Sequence, residues 1–279
     1  MSRMTTDLHE AVIVIAREAG QAIMAVYENA FDVQRKTDDS PLTAADLAAH
    51  RVITDGLRRL TPQWPVLSEE AADIPWAERS QWPTYWLVDP LDGTREFIKR
   101  NGEFTVNIAL IEQNEPIFGV VHAPATGETW HARQGRNAYR RVGEVDAQIR
   151  TRAPATGTLR VAASRSHRDA RTQAFLDRMG HIEEVALGSS LKFCRIAEGA
   201  LDVYPRFGPT SEWDTAAAQC VLEAAGGALL APDGRAFRYN RRETLLNGDF
   251  VALGDMTLPW RDWLDADGGG NEHGYARQA

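Results

Sequence analysis

The chain has 279 residues, 43% of them hydrophobic and 25% charged, with a formal net charge of -8. These values suit a globular protein with one large or two moderate cores and exclude a miniprotein that needs staples to fold. The acidic balance argues against a nucleic-acid partner, because phosphate backbones are held by clustered Lys and Arg; a small anionic ligand is compatible if cations supply local positive charge. Cys194 and Cys220 are the only cysteines, too few for a disulfide framework, and each sits in an apolar helical stretch that suits a small buried hydrophobe.

The apolar run Ala11 to Ala16 is interrupted by Arg17 and Glu18. It is too short for a signal core or a membrane span, so the expected location is the cytoplasm or its boundary with the inner membrane. Leu8, Val12, Ile15, Ala19, Ile23 and Val26 recur at helical spacing, as do Ala49, Ile53, Leu57 and Leu60, so two amphipathic helices open the chain. Lys36 to Pro41 reads as a polar turn between them. Short β-type runs follow at Val66-Leu67, Tyr85 to Val88, Thr105 to Ile111, Ile117 to Val121 and Thr129 to Ala132. Turn pairs at Gln113-Asn114 and Thr126-Gly127 predict antiparallel hairpins.

From Leu159 the pattern alternates: a strand to Ala163, a helix over Ala170 to Met179, a helix over Leu191 to Glu198, a strand over Leu201 to Tyr204 and a helix over Glu212 to Ala225. That rhythm predicts a layered α/β half. The expected organisation is an α+β N-terminal half, residues 1–145, with a helix pair over a largely antiparallel sheet, and a C-terminal α/β half, residues 158–260. The polar stretch Gly143 to Gly157 lies between them. Residues 265–279, with three consecutive glycines and almost no large apolar side chain, read as a disordered tail. There is no internal repeat and no Gly-rich nucleotide loop.

The chemistry concentrates where Tyr85-Trp86-Leu87-Val88 runs into Asp89-Pro90-Leu91-Asp92-Gly93-Thr94. Two carboxylates stand at a strand mouth, Pro90 stiffens the turn, and Gly93 permits close backbone approach before a short helix over Arg95 to Arg100. Amides of Gly93 and Thr94 at that helix start would seat a phosphate. Carboxylates beside a phosphate repel it unless cations intervene, which points to Mg²⁺, an ion that takes a few carboxylates, waters and phosphate oxygens. Asp and Gly are also ordinary turn formers. Glu69-Glu70 ends another short apolar run. Asp46 and Asp214 each fit the third position of a capping box, Thr43-x-x-Asp46 and Ser211-x-x-Asp214, a role compatible with catalysis.

Together these segments resemble the inositol monophosphatase superfamily of metal-dependent phosphatases. The resemblance rests on residues 89–94 and on Trp213-Asp214, and it extends from Lys36 to about Gly227. It is nearest to the 3′(2′),5′-bisphosphate nucleotidases, through Asp39 to Asp46, Val66 to Glu70, Glu96 to Thr105, Gly188 to Cys194 and Tyr204 to Thr210. The resemblance implies a layered αβαβα sandwich, with Glu69, Asp89, Asp92, Asp214 and the Leu91 carbonyl holding up to three Mg²⁺ ions. It implies that Asp46 and Thr94 orient and deprotonate the attacking water. It implies hydrolysis of the 3′-phosphate of 3′-phosphoadenosine 5′-phosphate, and sensitivity to lithium. Besides Glu69, Leu91, Asp92, Gly93, Thr94 and Asp214, the implied substrate contacts are His167, Ser189, Lys192 and Arg206, although Ser189 also suits a helix cap and the two cations also suit a surface. Lys36 is expected to tune charge near the metals. Trp64, Trp76 and Trp82 are expected to pack and not to stack on a base.

Two alternatives accompany this reading. One is a phosphatase of the same superfamily for inositol, histidinol or sugar phosphates, which the metal residues cannot distinguish. The other is a non-catalytic partner-binding module that retains the fold.

Overall fold

Thr5 accepts a hydrogen bond from the Leu8 amide at 3.2 Å and starts α1 (Thr6–Tyr27), whose buried residues Val12, Ile13, Ala16, Ala19 and Ile23 form one helical face. The computed structural model describes residues 5–29, 33–35, 41–164 and 169–264. His167, Lys36, the rest of the expected turn at 36–40 and the expected tail at 265–279 lie outside the described residues.

A two-stranded ribbon, β1 (Val33–Arg35) and β2 (Pro41–Thr43), leads into α2 (Ala44–Leu60). Then come β3 (Val66–Ser68), a 3₁₀ turn at Glu69–Ala71, α3 (Trp76–Arg79), β4 (Thr84–Asp92) and α4 (Thr94–Ile98). The strands β5 (Thr105–Glu112), β6 (Glu115–Ala123), β7 (Glu128–Arg133), β8 (Ala138–Val142) and β9 (Val145–Ile149) form a meander. With β3 and β4 they make a seven-stranded sheet in sequential order, antiparallel throughout except for the β3–β4 pair. The expected turn between β5 and β6 is present: Gln113 and Asn114 both have positive φ, 52° and 66°, as a tight two-residue hairpin requires.

The second half contributes β10 (Leu159–Ser164), α5 (Ala170–Met179), β11 (Ile182–Leu187), α6 (Leu191–Ala197), β12 (Val203–Arg206), α7 (Glu212–Ala224), β13 (Ala228–Leu230) and β14 (Phe250–Leu253), with a closing 3₁₀ turn at Trp260–Trp263. Its five strands form a mixed sheet in the order β11-β10-β12-β14-β13.

Period-two alternation assigns each strand face to a layer. On β4, Trp86 and Val88 face α1 and α2, whereas Tyr85 and Leu87 face the central layer of α6 and α7. On β14, Phe250 and Ala252 face that central layer, while Val251 and Leu253 pack with Phe175 of α5 and with Trp260 and Trp263. The order is therefore helix pair, seven-stranded sheet, helix pair, five-stranded sheet, helix, the αβαβα sandwich that the resemblance implied. Gly119 on β6 allows the central layer to close, since a Cβ there would stand 2.2 Å from the Ala217 carbonyl oxygen of α7. That contact fixes the depth at which α7, and with it Asp214, sits on the sheet.

Both cysteines are buried as expected, and burial pushes their thiols up. Trp64 packs on Trp86 and Trp82 on Tyr85, with ring centroids 5.9 Å apart in each pair. Among the described residues no helix is long and apolar enough to cross a membrane.

Candidate active site

Strand pairing gathers the acidic residues. In the parallel β3–β4 pair Ser68 stands opposite Val88, so Glu69, which follows the end of β3, comes beside Asp89, which continues in β4. Asp89 is buried, its Oδ1 accepts the Leu91 amide at 3.0 Å, and it shares a side-chain hydrogen bond with Glu69. Burial first, then the charges of Glu69, Asp92 and Asp214, hold the Asp89 carboxyl well above the ordinary carboxylate range. Asp214 is raised in the same sense by burial and by Asp92, while the Ser211 amide works against the rise. Of the adjacent acids, Glu69 lines the central cavity and Glu70 does not.

After Asp92 the chain turns on Gly93, at φ 94°, into α4. A Cβ at Gly93 would stand 3.0 Å from the Glu103 carbonyl oxygen and 3.3 Å from Ser189 Cβ, so this turn admits only glycine without rearrangement. Asp92 itself is fixed from three directions. Its Oδ2 accepts the Ser190 amide at 2.6 Å, the Ser190 hydroxyl at 2.7 Å, and Asn107 Nδ2 at 3.2 Å. Burial raises its carboxyl, and Lys192, Ser190 and Asn107 oppose the rise.

Both capping boxes exist, and both carry site residues. Asp46 Oδ2 accepts the Thr43 amide at 2.8 Å and the Thr43 hydroxyl at 2.7 Å, while its Oδ1 lies 3.3 Å from Thr94 Oγ1. Thr94 Oγ1 is also 3.3 Å from the Leu91 carbonyl. Asp214 Oδ2 accepts the Ser211 amide at 2.8 Å. Capping leaves one oxygen of each carboxylate available for another partner.

A cavity of about 260 Å³ is lined by Glu69, Asp92, Thr94 and Asp214 together with Lys192 and Arg206. Asp46, Asp89 and Leu91 do not line the cavity. Lys192 is buried; its Nζ donates to the Ser189 carbonyl at 2.6 Å and lies 5.1 Å from the Tyr204 ring centre. Burial pushes its ammonium down to about 8. Arg206, also buried, donates to the carbonyls of Gly208 and Pro209 at 3.3 and 3.0 Å. Neither cation is a solvated surface charge. Ser189 lines the cavity, has φ 46°, and its hydroxyl accepts the Leu191 amide at 3.4 Å, so it also serves the start of α6.

The donor set fits an open magnesium site. Among the described residues no group of three or more His, Cys, Asp or Glu side chains is placed to hold a metal ion by itself. Mg²⁺ does not need one, since it keeps waters and completes its shell with substrate phosphate. Burial is the main cause of the raised carboxyls, and the charge of Asp92 adds to it at both Asp89 and Asp214, so a nearby cation would favour their ionised forms.

The profile of the inositol monophosphatase family matches residues 4–258. The chain belongs to that family. Within it, the 3′(2′),5′-bisphosphate nucleotidase CysQ of Salmonella typhimurium is 52% identical over 244 residues, covering 86% of this chain and 97% of the relative. The crystal structure of CysQ from Bacteroides thetaiotaomicron matches with a TM-score of 0.78 at 39% identity, covering 89% of this chain and 97% of that one. The IMPase of Thermotoga maritima matches at 0.76 and 25% identity, over 89% and 92%. Against this family background, sequence reading missed Thr105, Asn107 and Ser190, which contact Asp92 directly. Only Ser190 had a local signal, the hydroxyl-rich Gly188-Ser189-Ser190 run.

Proposed function

We propose that this chain is a Mg²⁺-dependent 3′(2′),5′-bisphosphate nucleotidase that cleaves the 3′-phosphate of 3′-phosphoadenosine 5′-phosphate to give AMP and phosphate. The carrying observation is that one cavity is lined both by carboxylates suited to cations, Glu69, Asp92 and Asp214, and by two buried cationic side chains, Lys192 and Arg206. A substrate with two phosphates can engage both kinds of group at once. The identity to CysQ over nearly the whole chain supports the same reading.

Glu69, Asp89, Asp92, Asp214 and the Leu91 carbonyl would hold the metal, in up to three ions. Bound Mg²⁺ supplies positive charge that neutralises the phosphoryl oxygens and acidifies a water. Thr94 Oγ1, hydrogen-bonded to Asp46 Oδ1, takes up the proton of the attacking water as its own passes to the carboxylate. The water oxygen bonds to phosphorus in line as the bond from phosphorus to O3′ breaks, and O3′ leaves with a proton from solvent. No covalent phosphoenzyme is required. Lys192 and Arg206 grip the 5′-phosphate, Arg through its planar fork and Lys as a point charge. Ser189 and His167 are assigned to the same nucleotide side on the family resemblance. Two buried unpaired thiols suit a reducing cytoplasm.

Turnover on 3′-phosphoadenosine 5′-phosphate, inositol 1-phosphate, histidinol phosphate and fructose bisphosphate tests the proposal. The bisphosphonucleotide should give the highest kcat/KM. Preference for any of the others would assign the chain to a different branch of the family.

A further inference from the structure

Asp92 is bonded on one oxygen only. Its Oδ2 receives the Ser190 amide at 2.6 Å, the Ser190 hydroxyl at 2.7 Å, Asn107 Nδ2 at 3.2 Å and the Thr105 hydroxyl at 3.4 Å. Oδ1 receives no hydrogen bond among the described residues. The donors also brace one another. The single proton of Thr105 Oγ1 is shared between Asp92 Oδ2 and Asn107 Oδ1, which lies at 3.1 Å, and Asn107 Nδ2 donates to Ser190 Oγ at 2.9 Å. Ser190 Oγ in turn stands 2.8 Å from the Asp214 carbonyl. Asn107 and Ser190 are both buried, so water does not compete for these bonds.

The topology explains how three distant segments meet. Across the β4–β5 pair, Thr105 stands opposite Asp92 and Asn107 opposite Asp89, with an irregularity in register between them. Ser190 comes from the other half of the chain, 98 residues beyond Asp92, at the start of α6.

We propose that Asn107 and Ser190 are positioning residues that clamp Asp92 Oδ2, aim Oδ1 at the cation, and tie Asp92 to the loop that carries Ser189 and Lys192. The proposal rests on the metal-dependent reading above and adds two residues to it. A carboxylate free to rotate would reach the ion in several orientations; one held by two N–H groups and a hydroxyl reaches it in one. Because Ser190 contacts both Asp92 and the backbone of Asp214, loosening it disturbs two of the four carboxylates.

The test uses the full chain as wild type, Ser190→Ala, Asn107→Ser, the double variant and Ser190→Thr. Mg²⁺ affinity is read by calorimetry without substrate and by the magnesium-dependent rise in Tm, beside kcat and KM at saturating Mg²⁺. Each single variant should weaken Mg²⁺ binding by about 10- to 100-fold, the usual loss when a partner of a ligand is removed. The double variant should lose much less than the product of the two, because both residues act on one oxygen. The loss should appear first in Mg²⁺ affinity measured without substrate, where neither substrate contacts nor turnover contribute. Ser190→Thr, which retains the hydroxyl, should recover Mg²⁺ affinity. Wild-type Mg²⁺ affinity and wild-type Tm shift in both single variants, with the metal-free Tm preserved, would overturn the proposal. If Asn107→Ser fails to fold, Ser190→Ala and Ser190→Thr decide it alone. A wild type that binds Mg²⁺ yet hydrolyses none of the four esters would overturn the nucleotidase reading, while calorimetry would still judge the clamp.

Discussion

Asp46 divides its two oxygens between two tasks: Oδ2 caps α2 through Thr43, and Oδ1 lies 3.3 Å from the hydroxyl of Thr94, which belongs to a different helix. The capping box holds the carboxylate in one rotamer. Helix α2, anchored to the sheet by Ala49, Ile53 and Leu57, carries it to the end of β4.

This arrangement makes Thr94→Val and Asp46→Asn informative. Val matches Thr in shape but carries no hydroxyl, so kcat should fall by about 10²- to 10⁴-fold, the range for loss of a general base. Mg²⁺ affinity should be kept. Thr94→Ser should retain most activity. Combining Thr94→Val with Asp46→Asn should cost little more than either alone, because the two act as one relay. Full additivity in steady-state kinetics would separate their roles.

Lys192 gives the nucleotide side a pH signature. Burial lowers its ammonium from 10.5 to about 8, so in the free protein the charge is lost as pH rises through about 8. The KM for 3′-phosphoadenosine 5′-phosphate should rise across that range, and Lys192→Met should show the raised KM already at pH 7. The expected increase is roughly 10- to 100-fold, the worth of a charge-assisted hydrogen bond. Ester substrates with a single phosphate should respond to neither change. An equal response from them would remove Lys192 from recognition of the second phosphate.

How much of this was legible beforehand varies with the kind of signal. Apolar periodicity located α1, α2, α5, β4 and β5 to within a few residues, because each buries a continuous stripe or both faces of a strand. β9 lies inside the polar stretch 143–157, and its residues from Val145 to Gln148 are exposed, so it lacks an apolar pattern. β11, at the sheet edge, alternates around exposed Glu183 and Glu184. β14 is only four residues long and follows Asn247-Gly248-Asp249, which reads as a turn. In the site, single acids read equally well as turn formers or caps, and it was the whole run Asp89 to Thr94 after an apolar strand that stood out. Asn107 and Ser190 did not, since a buried amide and a hydroxyl acquire meaning only when pairing brings them to Asp92 from 15 and 98 residues away.

Acid should weaken the fold partly through His122. Its ring is buried against the Gly20 backbone of α1 and hydrogen-bonded to Thr129 Oγ1 at 2.9 Å. Burial lowers it from 6.5 to about 4. The unfolded chain therefore binds the extra proton first, and the stability present above about pH 6.5 is lost as pH falls toward 4, by about 3 kcal/mol at most for this group. Urea unfolding of wild type and His122→Asn at pH 7.5 and 4.5 isolates the effect, because the acidic centre contributes alike to both. The variant should show a smaller loss. Equal losses would place the acid sensitivity elsewhere, with His9, also lowered to about 4, the next group to test.

The central claim is that the acidic centre binds Mg²⁺ for phosphate-ester hydrolysis, and Asp92→Asn tests it most directly. Phosphate release from 3′-phosphoadenosine 5′-phosphate should depend on Mg²⁺ in the wild type. The variant should lose at least about 10²-fold of that activity, with an unchanged far-ultraviolet circular dichroism spectrum. Magnesium-dependent release by Asp92→Asn at the wild-type rate would contradict the account.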